Sequence, residues 1–172
     1  MCRTWLALLL TTSLPAFTGC GYMVGNVYQS EIRSVHVPIF TNTTYRREIE
    51  YQLTESVQKQ IQQRTPFRLA RANEADTQLT GRIVQLRKNR MSETANDDPR
   101  QLEYALYVEV TWQDLRTGKL LAEQQVPINA DVVQLQSQVS FAPEIGESLA
   151  TATQTAVDQL ARQIVDMMEA PW

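Results

Sequence analysis

The sequence LEYALYVEVTWQ, residues 102–113, carries the strongest structural pattern in the chain. Apolar side chains occupy every second position, and mostly polar side chains fill the positions between them. Such alternation is typical of a β-strand with one buried face, because successive side chains of a strand point to opposite faces. We expect the other face, with Glu103, Tyr107, Glu109 and Thr111, to stay polar and open to a partner. The apolar members are Leu102, Tyr104, Leu106, Val108, Val110 and Trp112.

Three further strands are predicted around this one. SVHVPIF, residues 34–40, and TQLTGRIVQLR, residues 77–87, precede it, and residues 120–133 return as a fourth strand after the DLRTGK turn. Pro38 lacks a backbone donor, so we expect it at an edge or away from a ladder partner. Gly81 inside the second strand indicates a bulge or close packing.

Two amphipathic helices complete the pattern. Apolar residues recur at every fourth position from Tyr45 to Ile61, which predicts a helix of about 18–20 residues behind the capping residues TNTT. Pro66 ends this helix. After a stretch at residues 134–143 that we expect to be irregular, a second helix is predicted from Glu144. Its apolar stripe contains Leu149, Ala152, Ala156, Leu160 and Ile164.

The resulting order is β-α-β-β-β-α. It predicts an α+β fold with one four-stranded mixed sheet and two helices packed on one face, since this arrangement buries every apolar stripe. The first β-α-β unit would be a right-handed crossover with parallel strands. The second, third and fourth strands would then form an antiparallel meander.

The chain begins with a short apolar leader that ends in LPAFTGCGY, residues 14–22. Its apolar run fits the ~7–15 residues of a secretory signal core and is shorter than the ~20 residues of a membrane-spanning helix. Thr18 and Gly19 before Cys20 are typical of a bacterial lipoprotein signal, although leucine is usual where Phe17 stands. An ordinary signal or a short buried helix is the alternative.

The leader therefore predicts the domain organisation. Residues 1–19 would be a signal peptide that is removed, residues 20–32 a lipidated tether, and residues 33–172 a single domain. We expect no cofactor, but we expect a covalent N-acyl diacylglycerol on Cys20, which would anchor the protein to a membrane. Cys2 would leave with the leader, so the mature chain would have no disulfide.

Composition and motifs argue against several function classes. With 16 Lys and Arg, 19 Asp and Glu and a net charge of −3, the chain is not a basic nucleic-acid-binding domain. His36 is the single histidine, and no Gly-x-Ser-x-Gly or phosphate-binding glycine loop is present. We expect no catalytic residues and no metal site. A hydrolase of envelope sugars remains an alternative for which no carboxylate stands out.

One local charge cluster is notable in this acidic chain. Arg82, Arg87, Lys88 and Arg90 lie within nine residues that contain no acid. Arginine and lysine at this density predict an anion-binding patch suited to phosphorylated sugars. The alternative is a strand end whose charges only increase solubility.

The order of these motifs resembles the LptE family of lipopolysaccharide-assembly lipoproteins. The resemblance rests on the lipobox ending GCGY, on VPIF-N-T before the first helix, on AD-x-x-L-x-G-x-I in the second strand, and on the later TGK turn and C-terminal helix. It runs over nearly the whole mature chain. The family fold, two helices on a four-stranded sheet, agrees with the pattern of strands and helices.

The resemblance implies a function. Such a protein would be a lipid-anchored, non-enzymatic component of the outer membrane on its periplasmic side. It would partner the β-barrel LptD, partly inside the barrel, and assist in placing lipopolysaccharide at the cell surface. The resemblance also implies lipopolysaccharide binding by basic residues, for which Arg82, Arg87, Lys88 and Arg90 are the candidates from charge. The alternative is a periplasm-facing ligand-binding or scaffold lipoprotein with a similar small α+β fold.

Overall fold

The computed structural model describes Tyr28 and residues 31–93, 99–121, 133–143 and 146–169. The predicted leader and Cys20 lie outside these residues, as does most of the predicted tether. The elements in the described ranges are β1 Ser34–His36, β2 Thr41–Asn42, α1 Ile49–Arg64, β3 Arg68–Leu69, β4 Thr77–Glu93, β5 Pro99–Asp114, β6 Val133–Phe141 and α2 Leu149–Asp166.

The strands form one mixed sheet. Its order is β3-β1-β4-β5-β6, and β2 pairs with β4 alongside this path. β1 and β4 are parallel, as expected for strands joined through a helix, and β4, β5 and β6 form the expected antiparallel meander. The α+β class is therefore confirmed, with six strands among the described residues instead of the predicted four.

Among the described residues, one buried core lies between the sheet and the two helices. The six alternating apolar residues of β5 are all buried, which confirms the prediction made from residues 102–113. Both helices bury the apolar stripes that the sequence indicates. Within the described ranges, neither helix combines the length and the apolar character needed to cross a bilayer. The buried helix residues include Ile49, Leu53, Val57 and Ile61 of α1 and Ala152, Ala156, Leu160 and Ile164 of α2.

The first predicted strand is divided in two. β1 pairs with β4 at Thr77 and Gln78, and β2 pairs with β4 at Arg82 and Ile83. Pro38 lies in the gap between β1 and β2, away from any ladder position, because it has no backbone donor. The short extended piece after α1 becomes β3, which pairs with β1.

The first helix begins later than predicted. Tyr45 is fully exposed, and α1 starts at Ile49 after Glu48, which adopts a positive φ of 77°. The Asn42 side chain accepts hydrogen bonds from the Thr44 amide at 2.8 Å and the Thr44 hydroxyl at 2.7 Å. This turn competes with the helix, as asparagine side chains commonly do. The predicted TNTT cap is therefore wrong.

The fourth strand is also displaced along the chain. Residues 134–143 were expected to be irregular, yet β6 occupies Val133–Phe141. Of the predicted strand at residues 120–133, Leu120 forms an isolated bridge with Gln113, and residues 122–132 lie outside the described ranges. The stretch VQLQSQVSF does alternate, but its three glutamines and Ser140 lie on the open side of the sheet, so their polarity was mistaken for irregularity.

The two helices run in the same direction. Ser56 of α1 donates to Asp158 of α2 at 3.2 Å, and Arg64 forms an ion pair with Asp166. Both N-termini therefore lie at the same end of the helix layer. α2 starts at Leu149 rather than at Glu144, because the Ser148 hydroxyl accepts from the Thr151 amide at 3.1 Å and caps the helix.

Candidate anion-binding surface

A bulge in β4 divides the predicted cationic patch between the two faces of the sheet. Arg82 pairs with Glu109 and Ile83 with Val108, but the next pair is Gln85 with Tyr107, so Val84 is an extra residue. One inserted residue reverses which face each following side chain occupies. Arg82 and Arg87 consequently lie on the outer face, away from the helices, whereas Lys88 and Arg90 lie on the helix side.

Arg82 on the outer face already has a partner. Its Nε and Nη2 atoms donate to Oε2 of Glu109 at 3.1 and 2.6 Å. The pair is partly exposed, so its net contribution to stability is small, about 0–1 kcal/mol. Because Glu109 neutralises it locally, Arg82 is the weakest of the four candidates for an external anion.

Arg87 belongs to a polar network on the same face. Its guanidinium carbon lies 5.8 Å from the centroid of the Tyr107 ring, a cation–π distance. Next to it, Glu103 accepts from Asn89 at 3.3 Å and from the Gln138 amide, and its exposed fraction is only 9%. The outer face predicted to be polar is therefore polar, but its centre consists of cross-strand hydrogen bonds rather than unpaired charges.

The helix side of the sheet gathers a second group of cations. Lys88 lies opposite Tyr104 and Arg90 opposite Leu102 in the β4–β5 register, so these side chains share a face. The Arg46 guanidinium lies 5.9 Å from the centroid of the Tyr104 ring. We define Arg46, Lys88 and Arg90 as the helix-side cations.

Arg46 was missed by the sequence analysis, because the four-residue period placed it on the solvent side of a helix. The Asn42 amide donates to the Arg46 carbonyl at 2.6 Å and helps to hold this segment outside α1. The signal that could have identified it is the sequence Asn-Thr-Thr itself, since asparagine followed by threonine favours a side-chain-closed turn.

Tyr104 shows where the helix-side cations lie relative to the ends of the helices. Burial raises the pKa of the Tyr104 phenol, and the nearby Thr153 hydroxyl and Arg46 guanidinium oppose that shift. Thr153 lies in the early part of α2, so Tyr104 marks the end of the layer where both helices begin. Helix N-termini carry a partial positive charge. Glu50 lies in the first turn of α1, whereas the first turn of α2 contains no acidic residue. The helix-side cations and the N-terminus of α2 therefore reinforce one another as an environment for phosphate or carboxylate groups.

Two clefts open elsewhere on the described surface. One of about 470 Å³ runs between the outer sides of α1 and α2, where Lys59 and Arg162 lie beside Glu55 and Asp158. Another of about 390 Å³ lies beside the gap between β1 and β2 and includes Arg82. Both place charges of opposite sign together, so neither is a preferred site for an anion.

The imidazole of His36 lies within hydrogen-bonding distance of a backbone carbonyl. Its Nδ1 atom lies 3.1 Å from the carbonyl oxygen of Ala70, which connects β1 with the segment after β3. In the part of the chain that the structure describes, no three histidine, cysteine or acidic side chains are placed to hold a metal ion.

The chain matches one protein-family model and is similar to several solved structures. The model of the LptE lipopolysaccharide-assembly family matches residues 32–168. No curated protein matches the chain significantly. The chain is similar in structure to hypothetical protein CT253 from Chlamydia trachomatis, with a TM-score of 0.53 and 12% identity over 78% of this chain and 94% of that chain. It is also similar to protein XCC0632 from Xanthomonas campestris, with a TM-score of 0.53 and 10% identity over 81% and 87% of the two chains.

The structural similarities show a shared fold alone at these identities. The family match is more specific, because it begins just before β1 and ends just after α2, and so includes all the described elements. It also agrees with the resemblance indicated by the order of the sequence motifs. The chain therefore belongs to the LptE family of lipopolysaccharide-assembly proteins.

Proposed function

We propose that this protein is a non-enzymatic outer-membrane lipoprotein that partners an LptD-type β-barrel and assists in assembling lipopolysaccharide at the cell surface. The observation that carries the proposal is the family match over residues 32–168. The polar outer face of the sheet is compatible with it, because the lumen of a large barrel is polar and wet. A guest inside such a lumen can keep its apolar core on the helix side.

The anchor would be an N-acyl diacylglycerol on Cys20, after removal of residues 1–19. Each buried methylene contributes about 0.8 kcal/mol to membrane binding, so several acyl chains hold a protein stably. Gly21 follows Cys20, and the absence of an aspartate there favours delivery to the outer membrane, on its periplasmic side. Cys20→Ala should leave an unprocessed protein that lacks the lipid mass, which mass spectrometry of the purified protein detects. A processed and membrane-bound Cys20→Ala protein would contradict the anchor.

Lipopolysaccharide would be bound through its phosphorylated sugars. Of the four cations predicted from charge, Arg87, Lys88 and Arg90 follow the bulge, and Arg82 is held by Glu109. The helix-side cations combine positive side chains with the N-terminus of α2, so we assign the main phosphate contacts to them. Arg87 on the outer face contributes a secondary contact with phosphate, and Arg82 contributes the weakest contact of the four.

A matched pair of double variants tests this assignment. Lys88→Glu with Arg90→Glu should weaken binding of purified lipopolysaccharide at least about tenfold, because two attractive charges become repulsive. Lys59→Glu with Arg162→Glu makes the same change in net charge on the outer side of the helix layer and should change affinity less than about twofold. Equal affinity losses in both pairs would show that only net charge matters. That outcome would reject the site.

The partnership is tested by affinity purification. A tagged copy of the full chain is recovered from detergent-solubilised outer membranes of a strain that makes lipopolysaccharide, and the proteins that accompany it are identified. We expect a large β-barrel protein in near-equal amount. The absence of any large barrel protein would reject the partnership, whatever the affinity for lipopolysaccharide.

A further inference from the structure

Strand β6 forms one edge of the sheet. It pairs with β5 over nine consecutive positions, from Leu102 with Phe141 to Val110 with Val133, and no position interrupts the register. In an antiparallel strand, alternate residues point their N–H and C=O groups away from the partner. No described residue pairs with the far side of β6. The far side of β6 therefore carries a row of backbone donors and acceptors that no described residue occupies.

This edge lacks the protections that natural edge strands carry. VQLQSQVSF contains no charge and no proline, and its pairing with β5 contains no bulge. Charges, prolines and bulges normally prevent another strand from adding to an edge. Beyond its pairing with β2, β4 also has no described strand on one side. This stretch contains the cations Arg87, Lys88 and Arg90 and has bulges at Val84 and Met91. This open stretch of β4 is thus protected, whereas the far side of β6 is not.

The side chains of β6 define what an added strand would meet. On the helix side, Leu135 and Val139 are only half-buried beneath the flank of α2, and Ser137 donates to Gln159 of α2 at 2.7 Å. On the outer face, Gln134, Gln136 and Gln138 are exposed. A strand with apolar residues towards the helices and uncharged polar residues outwards would extend both faces and cover the half-buried pair.

A second copy of this chain fits poorly at this edge. α2 packs mainly over β6 and to a lesser extent over β5. Adjacent strands lie about 4.8 Å apart, whereas packed helices need about 8–10 Å between their axes. Two copies joined through β6 would place two α2 helices over neighbouring strands, where they would crowd each other. The occupant should therefore be an extended segment with no helix layer of its own on this face, such as a loop or a terminal segment of the proposed barrel partner.

We propose that the outer edge of β6 pairs with an extended, uncharged segment of the partner barrel protein, which continues the sheet beneath α2. This inference rests on the proposed function, because it names the surface that the barrel partner uses. Hydrogen bonds to the N–H and C=O groups on the far side of β6 supply the affinity, and contacts with Leu135 and Val139 set the register of the added strand.

Two neighbouring lysine substitutions test the edge in the tagged full chain. In Leu135→Lys, the ammonium can reach water past the open edge of the free protein, but an added strand would bury it without a partner. Gln136→Lys adds the same charge one residue away, on the outer face. We expect barrel recovery to fall at least about tenfold for Leu135→Lys and to stay within about twofold of the parent for Gln136→Lys. Equal recovery with both variants would overturn the proposal.

A second measurement needs no variant. Hydrogen exchange is followed on the peptide spanning residues 133–141 in the free protein and in the purified complex with the barrel. In the free protein, the amides that point away from β5 should exchange quickly, and in the complex they should be protected. Unchanged exchange in a complex that does contain the barrel would overturn the proposal and leave the partnership standing.

A parent that recovers no barrel at all would overturn the proposed function, and the inference with it. A disulfide-linked dimer formed by Gln136→Cys in the membrane would identify a second copy as the occupant and overturn the proposal.

Discussion

Replacing Gly81 by alanine tests how closely the segment between β1 and β2 packs against β4. A Cβ atom on Gly81 would lie 2.5 Å from Cδ2 and Cε2 of Phe40 and 2.8 Å from its Cγ. Carbon atoms prefer about 3.5–4.0 Å, so the ring would have to move by roughly 1 Å. Phe40 is buried, and its amide donates to the Thr54 hydroxyl at 3.0 Å, so little movement is available.

Two effects of opposite sign then compete. Alanine in a strand interior is favoured over glycine by about 0.5–1 kcal/mol because it loses less conformational entropy on folding. Overpacking a buried site costs about 1–3 kcal/mol. Gly81 has no positive φ that would itself exclude alanine. We therefore expect Gly81→Ala to lower the free energy of unfolding by about 1–2 kcal/mol, measured by urea denaturation.

A double-mutant cycle isolates the contact. In a Phe40→Ala background, which should itself cost about 3–5 kcal/mol, the same Gly81→Ala change should become neutral or stabilising, since the ring is gone. Thr80→Ala, at the exposed neighbouring position, should change stability by less than about 0.5 kcal/mol. A Gly81→Ala protein more stable than its parent in the presence of Phe40 would refute the reasoning.

Two other predictions concern hydrogen bonds made by β1 and by the segment between β1 and β2. Thr54→Val keeps the shape of the side chain but leaves the buried amide of Phe40 without its acceptor, so urea denaturation should show a loss of about 1–3 kcal/mol; an unchanged midpoint would contradict it. The pKa of Asp76 lies below its usual value because the Ser34 hydroxyl and then the Arg33 amide donate to it. Its stabilisation should therefore be fully present above the unfolded-state pKa near 3.8 and be lost as the pH falls through the lower folded-state pKa. The stability difference between the parent and Asp76→Asn should shrink below pH 3.8, and a difference independent of pH would refute this.

Strong periodic patterns made much of the fold predictable. The alternation in β5 and the four-residue stripe of α2 each repeat over many residues, so a single exception does not change the result. Close packing at Gly81 was also predictable, because glycine inside a strand indicates a bulge or a near neighbour. The neighbour is the ring of Phe40, and the bulge lies three residues further along, at Val84.

Local exceptions were not predictable from those patterns. The bulge at Val84 reverses the faces of the side chains at positions 85–90 of β4, so four nearby cations on one strand do not form one patch. A turn closed by the Asn42 side chain delays α1 and brings Arg46 to the ring of Tyr104. In both cases one residue outweighs a propensity that is spread over the whole segment.

The position of β6 illustrates a different limit. Its alternate residues are glutamine and serine, whose polarity suggests a loop when the sequence is read alone. Burial of only one face allows such residues in a strand, because the other face of this antiparallel sheet is open to solvent or to a partner. The same uncharged composition leaves its edge available for another strand.

The most direct test of the central claim is the amount of lipopolysaccharide at the cell surface after depletion of this protein. We expect surface lipopolysaccharide to fall as the protein is lost. It should be restored by the parent chain and by Lys59→Glu with Arg162→Glu, but restored less by Lys88→Glu with Arg90→Glu. Undisturbed lipopolysaccharide export after depletion, in an organism that makes lipopolysaccharide, would contradict the account.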